Sequence, residues 1–240
     1  MLAVAAIVMM PAAYAADDLA QAIAAAAPGA VLSVTPGVHH VHLVLDQALT
    51  LDGQPGAILD GDGEGDVVRI RTAGVTLRNL VLRNSGRDLT AMNAGVYVEK
   101  GVDGAVIENN RIQDTLFGVY LDGPRHVRVI GNVITGIAEL RVPDRGDGIH
   151  LWNDANCVIE GNDVSGTRDG IYDYVSHDDL IVNNHIHAVR YGVHQMYTKN
   201  ETLQGNISSN NVAGMALMSS AHLRVVGNHI FNNSSYGILF

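Results

Sequence analysis

The sequence is short of cysteine, of aromatic residues and of positive charge, and each shortage removes a class of protein. Cys157 is the only cysteine in 240 residues, so an internal disulfide and a cysteine-based zinc site are both excluded. Its expected role is that of a small buried side chain. Lys and Arg number 15 against 25 Asp and Glu, a formal net charge of −10. Such a chain is ill-suited to nucleic acid, whose affinity comes largely from neutralised phosphates, and to electrostatic docking on anionic lipid. Charged residues make up only 17% and hydrophobic ones 47%, which excludes a disordered chain. Aromatics are 5%, too few for a core built on bulky rings. No apolar run is long enough to span a bilayer. Leu2 to Ala13 is apolar and leads to Ala13-Tyr14-Ala15, a small-x-small cleavage pattern. Residues 1–15 therefore read as an export signal, although no Lys or Arg precedes the apolar run. The mature chain then starts near Ala16 and lies beyond the inner membrane.

What the sequence has is glycine, asparagine and a period. Glycine totals 26 residues. A Gly preceding a short apolar strand recurs at Gly95, Gly118, Gly148, Gly170, Gly192, Gly214 and Gly237, with intervals of 23, 30, 22, 22, 22 and 23. A second marker, Asn after Gly or Asn, recurs at Asn110, Asn132, Asn162, Asn184, Asn206 and Asn228, with intervals of 22, 30, 22, 22 and 22. The shared interval of 30 places one eight-residue insertion within Ile137 to Arg145. A 22-residue unit is too short to bury its own apolar face and must stack on copies of itself. Each unit carries two Val- and Ile-rich strands, of the Gly118–Leu121 and Val127–Asn132 kinds, and these residue types favour strand over helix. The expected fold is all-β: a right-handed parallel β-helix, a solenoid in one domain over residues 16–240. Equivalent Asn residues at one corner of successive coils should form an amide ladder. Leu49-Thr-Leu-Asp-Gly, Ile58-Leu-Asp-Gly, Val67-Val-Arg-Ile and Val75-Thr-Leu-Arg-Asn read as earlier coils. Ahead of them, Asp17 to Ala27 reads as a short capping helix with Asp18 as its cap. Leu19, Ile23 and Ala26 share its inner face, and Pro28-Gly29 ends it. At the other end, Tyr236 to Phe240 begins a coil that does not finish, so either further coils and a cap are expected beyond it or a partner covers that end.

Strand alternation turns the Gly marker into a register. The residue after each Gly is apolar and should point inward. Two outward rows follow: Tyr97, Tyr120, His150, Tyr172, His194 and Ala216, and then Glu99, Asp122, Trp152, Tyr174, Met196 and Met218. An outward stripe of His, Trp, Tyr and Met suggests a binding surface, unless a loop or a further segment covers it. His194, Met196 and Met218 share one side of adjacent coils, and imidazole with thioether suits transient Cu(I). His150 and His194 are two coils apart, about 9.6 Å at ordinary strand spacing, too far for one ion to take both readily. His39-His40-Val-His42 is a weaker cluster, because His at that spacing on a strand splits between two faces.

The rival class is a carbohydrate-active β-helix, such as a polyuronate lyase or epimerase or a glycosidase. Such chemistry needs cations for the uronate and a general base, and the outward rows of the later coils hold almost no Lys or Arg. Ser176-His-Asp-Asp179 and the pair Asp169 and Asp173 are the acid and base candidates, with Asp173 falling on an inward position.

Four segments carry a family resemblance: Ala91 to Gly101, Leu116 to Pro124, Arg145 to Asn153 with its Ile-His-Leu-Trp-Asn, and Arg190 to Thr198 with its Val-His-Gln-Met-Tyr-Thr. With Gly214-Met-Ala-Leu-Met218 they resemble the NosD family of nitrous oxide reductase maturation proteins. The resemblance implies a periplasmic β-helix with no catalysis of its own. It implies docking on an ABC transporter of permease and ATPase subunits, working with a copper chaperone lipoprotein on nitrous oxide reductase. It marks His150, Trp152, His194, Met196, Tyr197 and Met218 as the chaperone- or copper-handling face; His150, His194, Met196 and Met218 are the metal candidates, and Trp152 and Tyr197, with Tyr172 and Tyr174 from the outward rows, the partner-binding ones. Gln195 stands where the family leads one to expect an aromatic and Ser219 where it leads one to expect Tyr, and family chains continue past Phe240.

Overall fold

In the computed structural model, the described residues are 13–14 and 19–240. The expected export signal lies outside them except for the backbone of Ala13–Tyr14, and the proposed cap Asp18 lies outside them altogether. The helix runs over Leu19–Ala25, with Leu19, Ala22 and Ile23 buried and Ala26 packed against the same core. It sits over the first coils.

The chain then winds into a parallel β-solenoid of three sheets, one of ten strands and two of nine. The first face holds the glycine-marked strands, among them Ala94–Val98, Phe117–Asp122, Ile149–Trp152, Asp169–Tyr174, Tyr191–Met196 and Ala213–Met218. The second holds strands such as Arg128–Ile130 and Val158–Glu160, and the third strands such as Val133–Gly136, Asp163–Ser165 and His185–His187. Each coil thus has three strands where the sequence suggests two. The third is short, and along its length a single inward residue (Ile134, Val164 or Ile186 in successive coils) alternates with outward ones. The four early segments all contain the expected strands, at Leu49–Gly53, Ala57–Asp60, Val68–Ile70 and Thr76–Arg78.

Register is strict. On the first face Val96, Val119, Ile149, Ile171, Val193, Met215 and Ile238 pair in one column. The marker glycines stack beside it, and their requirement is closeness. A Cβ on Gly170 would meet Gly192 O at 2.7 Å and Ile186 Cγ2 at 2.2 Å. Inside, Ile, Val and Leu from the three faces make one continuous core. At the corner between the second and third faces, the Asn ladder runs unbroken from Asn110 to Asn228 through side-chain amides. Asn162 shows the unit. Its Nδ2 donates to Val129 O (2.8 Å) and Asn184 Oδ1 (2.9 Å), and its Oδ1 accepts from the backbone N and the Nδ2 of Asn132, both at 3.0 Å. A buried side chain that satisfies the backbone of the coil below while bonding its own copy above fixes both the corner and the stacking distance.

Replacing Asn162 by Ala removes four hydrogen bonds and strands buried backbone groups. The expected loss is about 2–4 kcal/mol, read as a fall in the thermal midpoint. Asn200→Ala, at an exposed corner where the amide meets Asp178 and His222, should change that midpoint little.

Candidate functional site

The outer side of the first face carries a continuous column of rings. Tyr97, Tyr120, His150, Tyr172 and His194 are register partners on successive coils. The Arg69 guanidinium lies 4.0 Å from the Tyr97 ring. Tyr97 and Tyr120 stack at 5.0 Å and Tyr120 and His150 at 4.5 Å. His150 and Tyr172 meet edge to face at 4.9 Å, and Tyr172 and His194 are 4.5 Å apart. Parallel strands place identical positions one strand spacing apart, so aromatic residues at one position in successive coils have to stack.

The column is less exposed than alternation alone suggests. Tyr97 is 9%, Tyr120 1% and His194 7% exposed. For the lower rungs the cause is two loops. The segment between Val81–Arg83 and Ala94–Val98 is tied into a turn by Asp88, whose carboxylate accepts from Thr90 N and whose own N–H donates to Asn93. The insertion at 137–145 contains a short 3-10 turn at Val142–Asp144, and Arg145 pins it by donating to Leu140 O and Ala138 O. Met92 from the first loop and Leu140 from the second pack on a separate apolar cluster with Ala94, Leu116, Phe117, Tyr97 and Tyr120. Loops thus cover the lower half of the stripe and leave the upper half open.

Both histidines of the column are held by buried carboxylates. Asp147 Oδ2 lies 2.8 Å from His150 Nδ1 and takes Arg168 at 3.1 Å. Asp169 accepts from Arg190 Nε at 2.8 Å and Nη2 at 2.5 Å, and its Oδ2 is 2.9 Å from His194 Nδ1. Burial works to raise the Asp169 pKa, but the hydrogen bonds and charges of Arg190 and His194 outweigh it and hold the carboxyl below its usual range. A carboxylate on Nδ1 fixes the ring and leaves Nε2 as the ligating nitrogen. His194 Nε2 is buried and has no hydrogen-bond partner.

The predicted site residues fall into two neighbouring groups. His194 and Met196 lie on one strand, Met218 is the register partner of Met196 on the next coil, and Tyr172 joins them. The Tyr172 ring packs on His194, and its hydroxyl is 3.8 Å from Met196 Sδ. His150 does not join this group, because Tyr172 stands between it and His194. Instead His150, Trp152, Tyr172 and Tyr174 line an open cavity of about 430 Å³, with Phe117, Tyr120, Arg168 and the loop residues Leu89 and Met92 completing it. Trp152 is 41% exposed at its rim. Tyr197, 55% exposed with φ of 58°, meets Tyr174 at 5.9 Å and bridges the two groups. Sequence reasoning missed Arg168, Asp147 and the two loop residues. The signal for the first was an Arg two residues before the marker Gly, in Arg168-Asp-Gly and Arg190-Tyr-Gly; at a turn, alternation says nothing about direction.

The other candidate groupings come apart. His39 is buried on Thr35 O, His40 is exposed on Asp62, and His42 turns to Asp66 O. His177 pairs with Asp178 on the exposed corner, whereas Asp179 is fully buried. Asp169 faces Arg190 and His194 outside the strand, while Asp173 pairs in register with Leu151 and Gln195 on the inner side. Neither Asp169 with Asp173 nor His177 with Asp179 makes an acid and base pair.

Residues 130–240 match the family model described as periplasmic copper-binding protein (NosD). The chain is 40% identical over 138 residues to a probable ABC transporter binding protein NosD of Pseudomonas aeruginosa, covering 58% of this chain and 32% of that protein. It is 38% identical over 134 residues to the protein of that name from Stutzerimonas stutzeri, covering 56% and 31%. The matched stretch is thus about a third of the length of these relatives. Among solved structures, the mannuronan C-5 epimerase AlgE4 A-module of Azotobacter vinelandii superposes with a TM-score of 0.73 at 18% identity, over 93% of this chain and 67% of that one. An alginate lyase from Paenibacillus superposes at 0.61 with 14% identity, over 95% and 97%. At those identities the likeness is one of fold. No helix among the described residues is long and apolar enough to cross a membrane.

Because the Asp169 pKa is depressed in the folded state, its contribution is complete above the ordinary aspartate pKa of about 3.9 and is lost as pH falls through the lower folded value. Asp169→Asn should therefore melt well below wild type near neutral pH, and the gap should narrow as the pH drops below about 4. A gap independent of pH would contradict the assignment.

Proposed function

We propose that this chain, whose residues 130–240 match the NosD family model, is a periplasmic accessory binding protein for copper-site maturation of nitrous oxide reductase. Copper is its cargo, held transiently as Cu(I) by His194, Met196 and Met218. The observation that carries the reading is the state of His194: its Nδ1 is anchored on Asp169 and its Nε2 is buried without a partner. An imidazole so oriented, with one thioether on its own strand and a second on the next coil, is a soft donor set suited to Cu(I). Arg190 and Asp169 hold the ring, and Tyr172 covers the group from below. A site with so few donors fits transfer better than storage.

The aromatic cavity beside it is the docking surface. Trp152, Tyr172, Tyr174 and Tyr197 offer rigid, half-exposed rings with polar tips, the composition that dominates binding energy at protein interfaces. His150 supports that surface through its stack with Tyr120 and its bond to Asp147. The partners in this reading are the permease and ATPase subunits of an ABC transporter, a copper chaperone lipoprotein and the reductase itself. The names of the relatives, ABC transporter binding proteins, support the first of these. The chain has no catalytic role of its own, which fits the dispersal of its candidate acids and bases.

Anaerobic titration with a Cu(I) competitor probe tests the reading. Wild type should hold Cu(I), and the His194→Ala, Met196→Ala, Met218→Ala variant should bind at least about tenfold more weakly, a loss of about 1.4 kcal/mol. Equal binding by the two proteins would refute the site. His150→Ala should leave Cu(I) binding unchanged.

A further inference from the structure

Inside the solenoid, the apolar rows are broken at one place by acids. On the first face the inward row reads Leu121, Leu151, Asp173, Gln195 and Leu217 in register. On the turn into the second face, the 22-residue repeat aligns Cys157, Asp179 and Glu201 with Leu223. Asp154 sits at the corner just before Cys157. Asp173, Asp179, Gln195 and Glu201 are all 0% exposed and Asp154 is 1% exposed. Apolar residues close the cluster below and above, so four carboxyl groups lie within the core.

Their compensation is incomplete. Asp179 Oδ1 accepts from Cys157 N at 2.6 Å, Glu201 Oε2 from Asp179 N at 3.1 Å, and Asp173 Oδ2 from Gln195 Nε2 at 3.2 Å. The second oxygen of each (Asp173 Oδ1, Asp179 Oδ2 and Glu201 Oε1) has no hydrogen-bond partner, and neither does Gln195 Oε1. No Lys, Arg or His among the described residues forms an ion pair with any of the four acids. Ionised carboxylates left uncompensated in such a place are strongly unfavourable. Something positive has to be there when they are charged.

Gln195 indicates what. A glutamine whose amide N–H₂ already bonds Asp173 and whose carbonyl oxygen is left bare, fully buried beside the carboxylates, supplies a neutral oxygen donor. One ligand atom from each of Asp173, Asp179 and Glu201 lies within 4.8 Å of the others. Oxygens this close can share one cation, and Ca²⁺, which takes its oxygens at about 2.3–2.6 Å in flexible geometry, tolerates an irregular set. The oxygen-only donor set selects a hard cation over Cu or Zn. Cys157 lies at the margin, with its thiol turned to Ala155 O.

We infer that Asp173, Asp179, Glu201 and Gln195 form a buried structural site for one Ca²⁺ ion, which ties two consecutive coils together from inside. The site is separate from the His194 group. The two lie on opposite sides of the Tyr191–Met196 strand, with Gln195 pointing inward between His194 and Met196. A closed site of this kind loads as the coils assemble, so that ion binding and folding are one event.

Elemental analysis of the purified protein and refolding from denaturant test the inference. The protein should carry about one Ca²⁺ per chain. Refolded in EGTA, it should melt at least about 5 °C lower than when refolded with Ca²⁺ in excess, and Mg²⁺ should not substitute. The Asp179→Asn, Glu201→Gln double variant should carry no ion and should melt at the same temperature with or without Ca²⁺. Should that variant fail to fold, the wild-type comparison decides alone. A metal-free wild-type protein that melts at one temperature in EGTA and in Ca²⁺ would overturn the site and leave protons as the compensating charge. Finding Zn²⁺ or Mg²⁺ in place of Ca²⁺ would overturn the choice of ion.

Discussion

Stacking in strict register, held at one corner by the Asn ladder, is the constraint on which the other features depend. Each ladder amide bonds the backbone below and its own copy above, so a coil cannot shift by one residue without breaking contacts in both directions. A one-residue slip would also turn every inward side chain outward. With the corner fixed, equivalent residues stand over one another around the whole circumference. Residues 22 apart in sequence then become neighbours, and the column of rings on the first face follows from the repeat alone.

Much of this was legible beforehand, and the reason is physical. Glycine is required where strands of the first face come too close for a Cβ, and asparagine where the corner needs an amide, so both recur at the coil period. Two markers in step revealed the solenoid, the insertion and the inward column from Val96 to Ile238. The third strand of each coil was not legible, because a three-residue strand with one buried side chain carries too little alternation to stand out. The placement of Trp152, Tyr174, Met196 and Met218 on the outer side followed from the same register.

The site was legible as a row and not as an environment. Alternation put His194 outside, but its burial depends on Asp169, Arg190 and Tyr172, which reach it from turns and from a neighbouring coil. The covering of Tyr97 and Tyr120 depends on two irregular loops whose paths no period records. Asp173 is the instructive residue. Its sequence position conflicted with an apolar interior, and the conflict was real: it faces Gln195 and lies close to Asp179 and Glu201, which belong to another part of the coil. A break in a repeat can mark a site, but its partners appear only when the coils are closed.

The ring column has a further property that comes from its backbone. Tyr120, His150, Tyr172 and His194 are spaced by strand pairing, with neighbouring centroids 4.5–4.9 Å apart, and the hydrogen-bonded sheet behind them resists any change in that interval. The surface therefore acts as a ruler. Where the column opens, at His150 and Tyr172, a molecule that engages both rings has to present its own groups at the same pitch.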